Sequence, residues 1–308
     1  MYHLVPVQKS ARRPPKKPVK RVRTVVNDRN KEAFIRQAEE AVRVSFLGGI
    51  SRFKRRLPKA KLDEMFNRAG YDGLRKNIPW SDLPEDLKPV AEHLGKLMDR
   101  QQRHVDAIGR DEVDTRYRLD PTNPEAAKLT QERIGKYLQD LSDEANEHVH
   151  RTIAEHRRTG GNPKDLADRL KDGLGLNDRQ NRALAKFENG LIASGKYTEA
   201  QVAAKKKKKA EQMLNQRART VAITETRVAA NGTELRAWQA QAEDGILSPE
   251  SKRVWVTEPG CCDVCTQLSG VAVGLYEDWV LPDGRKFAFP GTVHPNCRCT
   301  SYLQDEDT

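Results

Sequence analysis

All five cysteines of this 308-residue chain lie between Cys261 and Cys299. They fall in two groups, Cys261-Cys262-Asp263-Val264-Cys265 and His294-Pro295-Asn296-Cys297-Arg298-Cys299. Two thiolates three positions apart can share one ion while the backbone turns beneath them, and His294 with Cys297 repeats that spacing with an imidazole. An odd number of cysteines in a CxxC and CxC pattern reads as a metal site in a reducing compartment rather than a disulfide framework. Zinc takes four such ligands in a tetrahedron. Two half-sites separated by a β-rich stretch make a cross-brace, and a segment so poor in large apolar residues is one that a metal helps to fix.

Six side chains compete for four places. Cys262, Cys265, His294 and Cys297 are the favoured set. Cys299 is the main rival, because residues two apart on a strand point the same way; Cys261, beside Cys262, is the weakest candidate. So many donors argue for a closed structural Zn2+ site, whereas zinc catalysis needs an open position and a base. His294 is the only histidine after His156, and the H-x-E of a nucleobase deaminase, the phosphate-binding P-loop and the G-x-S-x-G elbow are all missing. No catalytic and no small-molecule cofactor residues are expected.

Charge divides the chain in two. From Thr220 onward seven basic residues face thirteen acidic ones, a net of −6, which leaves +17 on the first 219 residues. The segment Lys9 to Arg23 holds eight basic residues and no acidic one. Its prolines and charge predict a disordered arm over 1–26, suited to DNA or to an acidic protein surface. With 37% hydrophobic residues against 32% charged, an elongated, surface-rich architecture is expected. No run is apolar enough for a membrane span, and Met1 to Lys20 lacks the apolar core of a signal peptide, so neither membrane insertion nor ordinary secretion is expected.

Periodicity predicts a helical domain over 27–160. A first helix runs from Asn27 through Phe34, Ile35, Val42 and Phe46 and stops at Gly48-Gly49. Pro79, Pro84 and Pro89 break up the next stretch before a second helix through Val90, Leu94, Leu97, Val105 and Ile108. A third opens at Asn123-Pro124 and runs to Gly160-Gly161. It carries His148, His150 and His156, read as core or surface histidines and not as ligands. The region 161–245 is also helical: a short helix after Asn162-Pro163, a helix capped at Asn177 or Asp178 packing through Ala183, Leu184, Phe187 and Leu191, and a long helix reaching toward Gln241. The run Lys205 to Lys209 has the look of a nuclear signal or a DNA contact, and is read as the solvated face of that long helix. A small β-rich Cys/His module fills 246–308, with strands near 251–257, 271–273 and 285–289 and a turn at Pro282-Asp283-Gly284. The expected fold is thus mainly α, an elongated helical front with a small zinc-braced α+β module at its C-terminal end.

The motifs, taken in order, resemble a known family. They are Leu174-Gly175-Leu176-Asn177-Asp178-Arg179-Gln180 with Ala183-Leu184; Arg217 through Thr226; Ala230-Asn231-Gly232; Lys252-Arg253-Val254-Trp255; Cys262-Asp263-Val264-Cys265; Leu268-Ser269-Gly270; and His294 through Cys299. The series, over roughly 162–303, is similar to the phage head morphogenesis family, the minor head proteins of tailed bacteriophages. It departs from the family at Ile223, where many members carry an arginine before the Thr-Glu pair.

The resemblance implies a structural virion protein that acts in head morphogenesis and is present in few copies. Its implied partners are the portal and the major capsid protein and, as in some members, DNA, a contact that the charge of the basic arm would suit on its own account. It implies residence in the capsid interior or at the portal vertex, and in the host cytoplasm during assembly. Some relatives carry a toxin domain after the head module; with nine residues after Cys299, none is expected here. The competing reading is a metal-dependent nuclease or hydrolase acting during packaging. Thr224 and Glu225 are expected to be structural, tying the long helix to the module by a side-chain hydrogen bond.

Overall fold

The computed structural model describes residues 29–112, 140–158 (apart from 142 and 146) and 163–304. The basic arm 1–26, the Asn123-Pro124 helix start and Gly160-Gly161 lie outside the described residues. The described chain is mainly helical with a small C-terminal sheet region. No helix among the described residues is long and apolar enough to cross a membrane.

Helix α1 spans Arg29–Arg56 and buries Ile35, Val42, Phe46, Ile50 and Phe53 along one stripe. It runs through Gly48-Gly49 instead of stopping there. The reason is a close helix crossing: a Cβ on Gly49 would lie 2.6 Å from the Asp86 carbonyl of α3 (Asp82–Glu112). Arg52 and Arg56, one and two turns further on, bind the carbonyl and the buried carboxylate of Asp86. Between them α2 (Lys59–Asn77) bends at Ala69 and Gly70, where Gly70 adopts φ +58°. The prolines do less breaking than their number suggests. Pro84 sits in the first turn of α3, where its missing N–H is not needed, and Pro89 is carried inside the helix. Burial of Leu83, Leu87, Val90 and Leu94 around it outweighs the one hydrogen bond it forfeits.

Helix α4 covers the described residues of 140–158. It adds Leu141, Ala145, Val149 and Ile153 to the same core. His148 and His156 on it are buried, with Tyr71 Oη 3.0 Å from His156 Nδ1. Helix α5 (Pro163–Gly173) turns Leu166 and Leu170 inward. Asn177 then caps α6 (Asp178–Ala193) in a reciprocal box with Gln180; Leu184 is buried on α6, whereas Ala183 faces solvent. Thr198 and Gln201 cap α7 (Glu199–Glu243) in the same way. At 45 residues α7 is about 67 Å long. Residues on both sides of position 160 share one core, from Phe34 and Leu94 to Leu166, Ala218 and Ala230.

Beyond α7, strand β1 (Lys252–Val256) is the centre of an antiparallel sheet with β2 (Ala272–Gly274) on one side and β5 (Thr300–Gln304) on the other. Arg253 stands opposite Val273 and Leu303. Strands β3 (Trp279–Val280) and β4 (Lys286–Phe287) form a separate hairpin around the turn at Gly284, which has φ +82°. Trp255 and Trp279 meet edge to face with centroids 5.1 Å apart. Beneath them Arg253 is buried, its guanidinium 4.5 Å from the centre of the Trp279 ring. It donates to the carbonyls of Gly274, Glu277 and Ala288, and burial lowers its pKa to about 10 despite Asp278 and Glu277 nearby.

Candidate metal centre

Cys265 is the hub of the cysteine cluster. It lies on α8 (Asp263–Leu268), a short helix whose first turn follows Cys262, so the two thiols of the CxxC knuckle emerge on one side. The other donors come from the loop before β5. His294 and Cys297 bracket a tight turn in which the Cys297 N–H donates to the His294 carbonyl at 3.3 Å. Asn296 at its apex adopts φ +65°, a left-handed conformation that asparagine tolerates better than most residues.

These segments bring the donors into two overlapping triplets. Cys262, Cys265 and His294 form one; Cys265, Cys297 and Cys299 form the other; within each, the donor atoms lie within 4.8 Å of one another. Cys265 Sγ is 3.5 Å from His294 Nε2 and 3.8 Å from Cys297 Sγ. All five cysteines are free thiols, and 3.8 Å is far beyond a disulfide bond of about 2.05 Å. Cys261 stands apart, its Sγ 3.4 Å from the Thr266 hydroxyl. A cluster of this kind can hold a metal ion. All five donors expected from the sequence lie in it, although Cys297 and Cys299 precede β5 rather than lying on a strand.

The imidazole is oriented for ligation. His294 Nδ1 lies 2.7 Å from the Pro295 carbonyl, an oxygen that only accepts, so Nδ1 carries the proton. The lone pair of Nε2 is then left facing Cys265. The thiols act on one another as well. Burial, then the neighbouring Cys299, pushes the Cys265 thiol well above the usual range. The Cys299 thiol is pushed up by its hydrogen bond to Cys297 and by burial. Cys297 is shifted down, chiefly by that same bond from Cys299, against the opposing effect of burial. Of the trio, Cys297 is therefore the thiol that gives up its proton most readily, and a cation bound among the three would favour ionisation of its neighbours too.

One face of α7 holds the loop that carries three of these donors. Asn231 Nδ2 donates to the Pro290 carbonyl at 2.8 Å and to the Cys299 carbonyl at 3.1 Å, so one amide grips both ends of the loop. The Thr224 hydroxyl accepts from the Asn296 N–H at 3.0 Å, and Thr220 from the Asn296 side chain at 3.3 Å. Gly291, at φ +97°, passes so close that a Cβ there would sit 3.3 Å from the Val228 nitrogen. From behind, Arg227 is almost fully buried and binds Glu32 and Glu39 of α1. Arg298, between the last two cysteines, reaches Glu39 at 3.2 Å. The donor loop is thus tied to α7 directly and to α1 through Glu39.

Sequence reasoning singled out the Cys and His side chains that cluster here and a Thr224 hydrogen bond to the module, but missed Thr220, Asn231 and the Glu39–Arg298 link. A signal existed: Thr220, Thr224, Arg227 and Asn231 are polar residues at helical spacing in an alanine-rich stretch. No family model, no curated protein and no solved structure matches the chain.

Proposed function

We propose that the protein is a minor head protein of a tailed bacteriophage. In this reading it is a non-enzymatic virion component whose C-terminal module is a docking unit braced by one structural zinc ion. The ordered motif series from Leu174 to Cys299 supports the family reading. The carrying observation for the brace is metric. With Zn–S near 2.3 Å and Zn–N near 2.0–2.1 Å, a tetrahedral site has S···S edges of about 3.8 Å and S···N edges of about 3.5 Å. Two edges of such a site, both meeting at Cys265, are in place: 3.8 Å to Cys297 Sγ and 3.5 Å to His294 Nε2.

Cys262, Cys265, His294 and Cys297 are the proposed ligands. Cys299 is the rival for one of the four places, buried in the second triplet. Zinc in such a site contributes folding free energy and no turnover. The helical front, α1 to α7, would then present the module to the portal or the major capsid protein. The basic arm 1–26 would contact DNA within the capsid.

The test is to assemble procapsids with the portal and major capsid proteins of the same phage, with wild-type chain and with Cys262→Ser plus Cys265→Ser. The expected result is wild-type protein in a few copies near the portal vertex and loss of the variant from heads. A folded chain that never enters heads overturns the reading. So does metal-dependent DNA cleavage that a single substitution abolishes without unfolding the protein.

A further inference from the structure

Helix α1 carries a charged stripe that reaches both halves of the metal centre. Glu32, Arg36 and Glu39 stand at i, i+4 and i+7, on one face of the helix. Arg298, the residue between Cys297 and Cys299, reaches the Glu39 carboxylate at 3.2 Å. Glu39 also accepts from Arg227 Nε at 3.2 Å, and Arg227 Nη1 donates to Glu32 at 2.9 Å. Glu32 in turn accepts from Arg36 Nε at 3.1 Å, and Arg36 lies 3.9 Å from Glu258. Glu258 stands four residues ahead of Cys262, and its carbonyl accepts from the Cys261 N–H at 3.0 Å. Charges of alternating sign thus run from the loop of His294, Cys297 and Cys299, across α1 and α7, to the CxxC knuckle.

The two ends of this chain differ in strength. Arg36 is exposed and Glu258 half-exposed, so water screens their pair and it contributes little. Glu39 and Arg227 are buried, where charge-assisted hydrogen bonds are stronger and an abandoned partner costs more. The Glu39 carboxylate therefore fixes where Arg298 lies. Both neighbours of Arg298 are donors of the second triplet, so the same pair fixes the backbone that carries them. Among the described residues α1 supplies none of the clustered donors; what it contributes to the metal centre is position.

We propose that α1 sets how tightly the metal centre holds its ion, through the Glu39–Arg298 pair, and that ion binding in turn tightens α1. Coupling of this kind is reciprocal: the factor by which α1 raises metal affinity is the factor by which the metal strengthens the docking of α1. Arg298 and Glu39 are positioning residues, outside the ligand set. The coupling rests on a metal ion occupying the cluster and not on the head-protein reading.

The experiment follows zinc transfer from the purified full chain to a chromophoric chelator. It compares wild type with Arg298→Gln, Arg298→Lys, Glu39→Gln and the double variant Arg298→Gln plus Glu39→Gln. Arg298→Gln leaves the buried Arg227 with both of its carboxylates, so the helical body keeps its ion pairs. It should release zinc roughly tenfold faster, and Arg298→Lys should recover most of the wild-type rate. The double variant should be no faster than Glu39→Gln alone, because the two side chains act as one pair. Amide exchange over residues 29–40 should quicken about tenfold in wild type when zinc is removed, and zinc removal should not change it in Arg298→Gln. Equal zinc release by wild type and Arg298→Gln overturns the proposal, as do additive effects in the double variant or wild-type α1 exchange that is the same with and without zinc. Zinc content is measured first: a wild-type chain without zinc would sink the metal reading itself, and the coupling with it.

Discussion

Asn231, in the last third of α7, donates its side-chain amide to the backbone carbonyl of Cys299 at 3.1 Å. A helix residue thereby sets where the last thiol of the cluster sits. Because the same amide binds the Pro290 carbonyl at 2.8 Å, replacing it leaves two buried acceptors without their donor. Asn231→Ala should lower stability by roughly 1–3 kcal/mol and speed metal loss to a chelator. Thr224→Val removes one acceptor from the loop, so its effect should be smaller, about 1 kcal/mol. Urea unfolding and chelator kinetics on both variants check this ranking; wild-type behaviour of Asn231→Ala would show that the loop holds its own shape.

The crossing of α1 and α3 makes opposite predictions for two helical glycines. At Gly49 a Cβ would meet the Asp86 carbonyl at 2.6 Å, whereas at Gly95 nothing lies within 4 Å. Gly49→Ala should therefore destabilise by roughly 1–3 kcal/mol through overpacking. Gly95→Ala should stabilise by roughly 0.5–1 kcal/mol, because alanine loses less backbone entropy in a helix. Thermal melts of the two variants against wild type decide it, and the same sign for both would contradict the close crossing.

Acid should loosen the helical core through His148. Burial holds its pKa at about 4, opposed by hydrogen bonds with the Leu170 and Arg169 backbone and reinforced by the charges of Arg151 and Lys54. The unfolded chain takes up the proton near the ordinary value of 6.5. Stability is thus full above that value and falls as the pH drops from there toward about 4, where the folded ring also protonates. At pH 5 the loss from this one group is about 2 kcal/mol. His148→Gln should show a correspondingly smaller drop in urea midpoint between pH 7 and pH 5; an equal drop in both proteins would place the acid sensitivity elsewhere.

The helical pattern was legible where apolar spacing dominates, as in Phe34 to Phe46, Leu166 to Leu170 and the long helix beyond Thr198. It misled where a glycine or proline serves tertiary packing: Gly49 reads as a stop because sequence carries no sign of the Asp86 carbonyl against it. The candidate donors, which the fold does bring into one cluster, were readable because thiol and imidazole chemistry is tied to residue type. Short elements such as α8, β3 and β5 were not, since two to six residues are too few for a period to show. The supports at Asn231, Thr220 and Glu39 were hidden because they act through contacts across the fold; Glu39 and Arg298 lie 259 positions apart.

The most direct measurement is elemental analysis of the full chain purified without chelator, alongside Cys265→Ser, whose thiol belongs to both donor triplets. About one zinc per wild-type chain is expected, with loss of the metal and of the module's folding in the variant, and no change for Cys261→Ser. A well-folded wild-type protein without zinc, or a Cys265→Ser protein that keeps both its metal and its fold, would contradict the zinc-braced module.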